Sequence, residues 1–340
     1  MAKSLSIKPS SEQPEEKLLT NPYPGLRPFS FTEKHLYYGR EGQSEKILEL
    51  LTTNRFIAII GPSGSGKSSL INCGIIPQLY GGYLYEAGSR WKIARMHPGY
   101  SPIESLSITL TETFASQKMT EEQIEAETNM NYVLFTKKAL EISSLVKKIE
   151  NYKDENILIF IDQIEELFRF TAGIDRQRSE LDESLLLINL LIEALKQKKV
   201  PVYVVICIRS DFVGSCSNYE ALTEYINLSH FLVPQMARDS YRSAILGPLS
   251  LTHAKISPDV LQEVLNNVGE RADQLPVLQH LMMRLYNFWS AKKKQDRPIS
   301  IYDYRAVGGL SEAISLHAEE LFVKLNEEEQ ETCKSLFQTI

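Results

Sequence analysis

Residues 56–70 read FIAIIGPSGSGKSSL, and this stretch decides the fold of the chain. Its first five residues are all apolar, which is typical of a buried strand. The residues that follow match the pattern G-x-x-x-x-G-K-[ST] at every position and lead into a stretch that favours a helix. A strand, a glycine-rich turn and a helix in this order predict a phosphate-binding loop.

In such a loop, glycines let the backbone turn so that successive N–H groups point at one phosphate, and the helix dipole favours the negative charge. We expect Lys67 to reach the β- and γ-phosphates and the Ser68 hydroxyl to bind Mg²⁺. The alternative is a glycine-rich turn that merely joins strand to helix. The predicted nucleotide-contacting residues of the loop are Gly61, Pro62, Ser63, Gly64, Ser65, Gly66, Lys67, Ser68 and Ser69.

Short apolar runs alternate with longer segments of helical period, which indicates a parallel sheet covered by crossover helices. Strands are predicted at 56–60, 92–96, 157–161, 202–208 and 231–233. Helices are predicted at 179–196 within the sheet layer and, after about residue 238, at 239–245, 257–267, 275–289 and 311–324. The predicted fold class is therefore α/β, a P-loop NTPase parallel sheet followed by a helical domain.

The third predicted strand ends in Asp162, which we expect to hold Mg²⁺ opposite the Ser68 hydroxyl. Glu165 and Glu166 follow, and one of them is a candidate for orienting or deprotonating the water that attacks the γ-phosphate. The alternative is that both glutamates only begin a helix, where the dipole favours acidic residues.

The fourth predicted strand ends in Arg209. Since this strand is expected beside the P-loop strand, Arg209 is a candidate sensor of the γ-phosphate, and the alternative is a surface arginine paired with Asp211. Arg169, Arg176 and Arg178 are candidates for an arginine acting across a subunit interface, although loop arginines are more often solvated.

Composition excludes several classes of protein. With 340 residues, 43% of them hydrophobic, the chain is long enough for more than one packed unit. Its 37 Lys and Arg against 43 Asp and Glu give a net charge of −6, which argues against nucleic acid as a partner. The four cysteines have neither metal-ligand nor disulfide spacing, which favours a cytoplasmic protein.

The remaining segments carry weaker signals. No apolar run approaches the roughly 20 residues of a membrane helix, so no membrane partner is expected. Residues 1–20 are rich in Ser, Glu, Lys and Pro and are predicted to form a disordered tail. The lysines of 291–297 are predicted to lie on a solvated loop.

The motifs resemble those of the STAND class of signalling P-loop NTPases, in particular the novel STAND NTPase class one group, which is related to NACHT and AAA+ proteins. The resemblance runs from about residue 21 to the end of the chain, and NPYPGLRPF at 21–29 is its most group-specific part. The other matching segments are YGRE at 38–41, the P-loop at 61–70, DQIEELF at 162–168, RSDF at 209–212, LPVLQ at 275–279 and YRAVGGL at 304–310.

The resemblance implies a sheet order of 5-1-4-3-2 and three domains. These are a P-loop NTPase domain at 21–238, a helical domain at 239–325, and at 326–340 the start of a winged-helix domain that this chain truncates, with a natural C-terminal helix as the alternative.

The resemblance also implies that Tyr38, Gly39 and Arg40 line the adenine and that Pro276 brings the helical domain to the nucleotide. The alternatives are an ordinary helix start and an ordinary proline at a helix N-terminus.

Three functions are consistent with these motifs. The first is a switch that binds ATP or ADP with Mg²⁺, changes domain arrangement with nucleotide state and hydrolyses ATP slowly. The resemblance implies that its ATP form is a homo-oligomer that activates an effector, in bacterial defence or signalling, with sensor and effector regions outside this chain. The others are an AAA+-like motor or remodelling ATPase and a nucleotide-binding scaffold without hydrolysis.

Overall fold

The structure is a computed structural model that describes residues 21–116, 119–137, 142, 155–169, 178–197, 201–269, 274–292 and 297–339. The predicted tail at 1–20 lies outside the described residues. Among the described helices, none combines the length and the apolar character that crossing a bilayer requires.

A parallel sheet forms the centre of the molecule. Its strands are β1 (Phe56–Gly61), β2 (Trp91–Met96), β3 (Asn156–Ile161), β4 (Val202–Arg209) and β5 (His230–Leu232). Their order is β2-β3-β4-β1-β5, which is the predicted order read from the opposite edge and confirms it. The last strand begins and ends one residue before its predicted bounds of 231–233, because His230 is the residue that pairs with Ala58.

Helices connect the strands. They are α1 (Gln43–Asn54), α2 (Lys67–Ser69, continued by a π-helical stretch at Leu70–Ile75 and by Ile76–Tyr80), α3 (Pro102–Phe114), α4 (Glu121–Thr136), α5 (Glu166–Arg169), α6 (Arg178–Lys196) and α7 (Glu220–Leu228). Two 3₁₀ segments occur at Phe31–Leu36 and Ser210–Asn218.

Both faces of the sheet are buried. On β1, Phe56, Ala58 and Ile60 belong to a core shared with α3, α6 and α7, whereas Ile57 and Ile59 belong to a core shared with α1 and α2. Because successive side chains of a strand point to opposite faces, a strand covered on both sides needs a continuous apolar run. This is why β1, β3 and β4 could be found in the sequence as apolar runs without alternation, whereas the edge strands β2 and β5 include polar residues and are partly exposed.

The helices that follow the sheet build a third core, except the last of them, which contributes none of its described side chains to it. They are α8 (Arg238–Ser250), α9 (Pro258–Asn267), α10 (Gln274–Ser290), α11 (Ile301–Ala306), α12 (Gly309–Phe322) and α13 (Glu327–Thr339). Tyr286 and Trp289 are among its fully buried side chains. The first helix continues past its predicted end at 245 to Ser250, with Pro248 buried inside it.

The N-terminal segment, residues 21–29, joins the third core to the P-loop helix. Tyr23 is buried in the third core, where its hydroxyl donates a hydrogen bond to the Ile245 carbonyl. At the other end, the Phe29 amide donates to Ser69 Oγ at 3.1 Å. The segment therefore crosses from one packed unit to the other beside the P-loop.

Candidate functional site

A cavity of about 520 Å³ lies where the carboxyl ends of the strands face the N-terminal segment and helices α8 and α10. The carboxyl edge of a parallel sheet is where ligands bind in folds of this type. The lining residues are Gly25, Leu26, Arg27, Pro28, Phe29, Leu36, Tyr37, Tyr38, Arg40, Ser63, Gly64, Ser65, Gly66, Lys67, Ser68, Ser69, Arg95, His97, Asp162, Gln163, Glu165, Arg209, Met236, Ala244, Leu275, Pro276 and Gln279.

The P-loop bends between β1 and α2 through glycines with positive φ, +71° at Gly64 and +87° at Gly66. Lys67 reaches back over the loop, and its Nζ donates to the carbonyls of Gly61 and Pro62 at 2.8 and 2.9 Å. The carbonyls of Gly61 and Pro62 thus fix the position of the Lys67 side chain. These two residues, predicted to contact the nucleotide, do not line the cavity. Burial lowers the pKa of the Lys67 ammonium from its ordinary value.

Ser68 and Asp162 meet across the cavity floor. The Ser68 hydroxyl donates to Asp162 Oδ1 at 2.9 Å, and Asp162 is only 3% exposed. A hydroxyl and a carboxylate side by side at the P-loop offer the oxygen ligands that Mg²⁺ prefers. The structure thus places Ser68 and Asp162, the two residues predicted to bind the metal, next to each other.

The two candidate glutamates are placed differently. Glu165 lines the cavity, is 2% exposed, and its Oε2 accepts a hydrogen bond from the Arg209 amide at 3.3 Å. Burial raises the pKa of its carboxyl group above the ordinary value. Glu166 instead accepts the Gly99 amide at 2.8 Å and does not line the cavity. Of the two, only Glu165 faces the cavity.

Arg209 has features of both alternatives, a residue that faces the nucleotide site and an arginine paired with Asp211. It lines the cavity at the end of β4, and its guanidinium also pairs with Asp211, with Nη2 and Oδ2 2.7 Å apart. The hydrogen bond to Asp211 raises the pKa of Arg209. Arg176 lies outside the described residues, as do the side chains of Arg169 and Arg178.

Tyr38, Gly39 and Arg40 lie between the sheet and α8. The Arg40 guanidinium is buried and donates to the Ser65 carbonyl at 2.8 Å, so it supports the P-loop from beneath. Gly39 has φ +89° and packs so closely on the Ser240 carbonyl that a Cβ would overlap it. Tyr38 and Arg40 line the cavity, whereas Gly39 positions them.

Helix α10 closes the cavity from the helical region. Its first turns contribute Leu275, Pro276 and Gln279 to the lining. The Gln279 Oε1 atom is buried without a hydrogen-bond partner among the described residues, as is the hydroxyl of Tyr37 in the same cavity. A buried polar group without a partner is costly, so these two atoms are exceptions to the usual pairing of buried polar groups.

Sequence reasoning missed part of this site. Leu26, Phe29, Arg95, His97 and Gln163 line the cavity although no motif assigned them a contact. Arg95 could have been predicted in principle, since a basic residue lies one position before the end of the strand that the predicted order places beside the strand of Asp162. No local sequence pattern predicted that the N-terminal segment lies against the cavity, because its position depends on packing with helices more than 200 residues away.

Three solved structures are similar to this chain in overall fold. The Orc1 protein of Aeropyrum pernix in complex with DNA has 12% identity and a TM-score of 0.48, with 79% of this chain and 65% of that chain covered. Cdc6p from Pyrobaculum aerophilum has 14% identity and a TM-score of 0.45, with 84% of this chain and 70% of that chain covered. A Walker-type ATPase of Pyrococcus abyssi has 14% identity and a TM-score of 0.46, with 91% of this chain and 79% of that chain covered.

Comparison with curated proteins gave no match. The family described as Novel STAND NTPase 1 matches residues 22–340, which includes the N-terminal segment, the P-loop, both acidic positions of the site and all helices of the third core. The chain therefore belongs to the novel STAND NTPase 1 family of P-loop NTPases.

Proposed function

We propose that the chain is an ATP-binding, slowly hydrolysing switch whose domain arrangement and assembly depend on the bound nucleotide. Its output is signalling, and bacterial defence is the setting that the family resemblance favours. The proposal includes the domain boundaries 21–238 and 239–325 and ADP as the nucleotide of the resting form.

One observation carries this proposal. A single cavity is lined by the P-loop and Asp162 on the sheet, by Pro276 on α10, and by Leu26 in the N-terminal segment. A nucleotide in that cavity contacts both packed units and the segment that joins them. Differential contact with the two units is what lets a ligand shift a conformational equilibrium.

The family resemblance favours adenine as the base. Tyr38 and Arg40, which the resemblance assigns to the adenine, line the cavity. Apolar surface from Leu36, Met236 and Ala244 supplies the walls that a planar base requires.

The residues of this chain divide the chemistry among them. Lys67 binds the phosphate oxygens, while Ser68 and Asp162 would hold Mg²⁺, which would neutralise charge on the phosphates. Glu165 accepts the proton of the attacking water, and Arg209 faces the γ-phosphate end of the cavity. Burial of Glu165 and Lys67 keeps bulk water from weakening these interactions.

Binding is tested with Lys67→Ala. We expect the ATP affinity measured by calorimetry to fall about 10- to 100-fold, since a charged hydrogen bond to phosphate is lost. Lys46→Ala is the matched control, because Lys46 is exposed on α1 and does not line the cavity. Unchanged affinity in Lys67→Ala would remove the nucleotide site from this cavity.

The switch is tested by mass measurement in solution, with ADP and with a non-hydrolysable ATP analogue. We expect a larger assembly with the analogue and slow single-turnover hydrolysis of ATP. Rapid turnover stimulated by DNA or an unfolded protein would instead favour the motor, and binding without hydrolysis would favour the scaffold. Equal mass with both nucleotides contradicts the switch.

A further inference from the structure

Asp162 has a second partner besides Ser68. Its Oδ2 accepts a hydrogen bond from Arg95 Nη2 at 3.1 Å, while its Oδ1 accepts the Ser68 hydroxyl. The carboxylate is almost fully buried, and the arginine side chain is 38% exposed in the cavity. Both oxygens of the acid that we assign to Mg²⁺ are therefore hydrogen-bonded to side chains of the chain itself.

Arg95 is held in place by more than this ion pair. It is the penultimate residue of β2 and the register partner of Phe160 on β3, and its guanidinium lies 5.3 Å from the centre of that ring. Its Nη1 donates to Asn72 Oδ1 at 3.3 Å. The planar fork of an arginine can bind an acid and an amide at once, which a lysine cannot do with the same geometry.

Asn72 carries the connection on to the N-terminal segment. Its amide nitrogen donates to the Phe29 carbonyl at 2.8 Å, and it is 4% exposed. A continuous set of hydrogen bonds thus runs from Ser68 through Asp162, Arg95 and Asn72 to the segment that also packs on the third core. Buried networks of this kind couple their members, because the loss of one bond leaves another group unsatisfied.

We propose that Arg95 is a positioning residue of the metal site that competes with Mg²⁺ for Asp162 Oδ2. Binding of a metal nucleotide then weakens the Arg95–Asp162 pair and, through Asn72, changes the hold on the N-terminal segment. Two cations close to one carboxylate repel each other, so occupancy by one opposes the other. This inference rests on the proposed nucleotide site. It adds the hydrogen bonds through which metal binding at Asp162 affects the N-terminal segment.

The test measures ADP affinity by calorimetry in EDTA and in Mg²⁺, and takes the ratio of the two as the Mg²⁺ effect. In Arg95→Ala we expect this ratio to rise about fivefold over wild type, the equivalent of one lost ion pair. In Arg95→Lys, which keeps the charge, the ratio should stay near the wild-type value. A ratio in Arg95→Ala equal to or below wild type overturns the competition.

A second background controls for indirect effects. In Asp162→Asn the charge that attracts both cations is gone, so adding Arg95→Ala should no longer change the Mg²⁺ ratio. A change of the same size in both backgrounds would place the effect of Arg95 elsewhere and overturn the assignment. Thermal unfolding of each variant identifies any that fail to fold. If Arg95→Ala fails to fold, Arg95→Gln replaces it in both backgrounds.

Hydrogen exchange of residues 21–29 tests the connection to the segment. With ADP present, we expect Mg²⁺ to alter amide exchange there in wild type and not in Arg95→Ala. No response to Mg²⁺ in wild type overturns the coupling. If wild type binds ADP in neither condition, the proposed function fails first; if it binds ADP and only the ratio stays unchanged in Arg95→Ala, only this inference fails.

Discussion

At the scale of single residues, the site separates groups that look alike in the sequence. Glu165 and Glu166 are neighbours, yet only the first lines the cavity, because Gln163 turns the chain after β3 with φ +59°. A left-handed conformation in a residue other than glycine costs about 1–2 kcal/mol, and such strain is concentrated at functional sites. The turn aims the carboxylates of Asp162 and Glu165 into one space.

The first prediction concerns these glutamates. Glu165→Gln should lower the rate of ATP hydrolysis about 10²- to 10⁴-fold with binding intact, because a general base is lost. Glu166→Gln should stay close to wild type, since the glutamine oxygen can still accept the Gly99 amide. Single-turnover kinetics and calorimetry check both variants. Equal losses in both would contradict the assignment of Glu165.

The second prediction follows from the raised pKa of Glu165. A base must be deprotonated to act, so the rate falls as the pH falls through its pKa. Because burial raises the pKa of Glu165, we expect the acid limb of the rate profile above about 4.3, the ordinary value for glutamate. The limb should be absent from the residual activity of Glu165→Gln. A profile that is flat down to pH 4.3 in wild type would argue against this base.

At the scale of elements, the contact between Tyr38 and α8 sets one wall of the cavity. Gly247 lies inside α8, three residues before its end, and glycine within a helix is normally unfavourable by about 1 kcal/mol. Its lack of a side chain is explained by the Tyr38 ring, which a Cβ at this position would overlap. The helix gives up intrinsic stability so that an aromatic ring can pack against its backbone.

The third prediction is that Gly247→Ala weakens nucleotide binding and destabilises the fold. The added methyl group must displace Tyr38 or α8, and overpacking of this kind costs about 1–3 kcal/mol. Gly214→Ala is the control, because a Cβ there meets no atom within 4 Å. Nucleotide affinity and thermal unfolding check the pair. A Gly247→Ala protein as stable and as tight-binding as wild type would contradict the packing argument.

At the scale of the whole molecule, three cores must be held together, and one buried carboxylate stabilises the helical one. Asp303 is fully buried and accepts hydrogen bonds from Lys292 and Arg297, each at 2.7 Å. Of the lysines predicted to lie on a solvated loop, Lys292 pairs with Asp303 while its side chain stays 31% exposed, and Lys293 and Lys294 lie outside the described residues. A buried acid recruits the nearest cations, because an unpaired buried charge is costly.

The fourth prediction is a loss of stability in Asp303→Asn of about 1.5–3 kcal/mol at pH 7. Burial alone would raise the pKa of Asp303, but hydrogen bonds from Arg297 and Lys292 outweigh it, so the pKa lies below the ordinary value. The stabilisation is then fully present above the unfolded-state pKa of about 3.9 and is lost as the pH falls below it.

Denaturant unfolding between pH 7 and pH 3 checks this prediction, and the difference between wild type and Asp303→Asn should shrink below about pH 4. Asp239→Asn is the control, since Asp239 is an exposed acid in the first turn of α8 and should cost less than about 1 kcal/mol. If the difference in the free energy of unfolding between wild type and Asp303→Asn grew toward low pH, the predicted direction of the pH dependence would be wrong.

The sequence by itself determined the P-loop, the strands and several of the helices of this protein, whereas α1, α3, α4 and α7 were not predicted. These features depend on residues close together in the chain: the apolar run of 56–60 and the glycines of 61–66 carry their conformational preferences locally. The order of the strands was also available in advance, through the resemblance of whole motifs to a family.

Only the tertiary structure decided which side chains share the cavity. Arg95 and Asp162 are 67 positions apart and meet because β2 and β3 are neighbours in register. The Tyr23 hydroxyl meets the Ile245 carbonyl across 222 positions because the N-terminal segment packs into the helical core. Contacts of this range depend on strand register and helix packing, which no local pattern encodes.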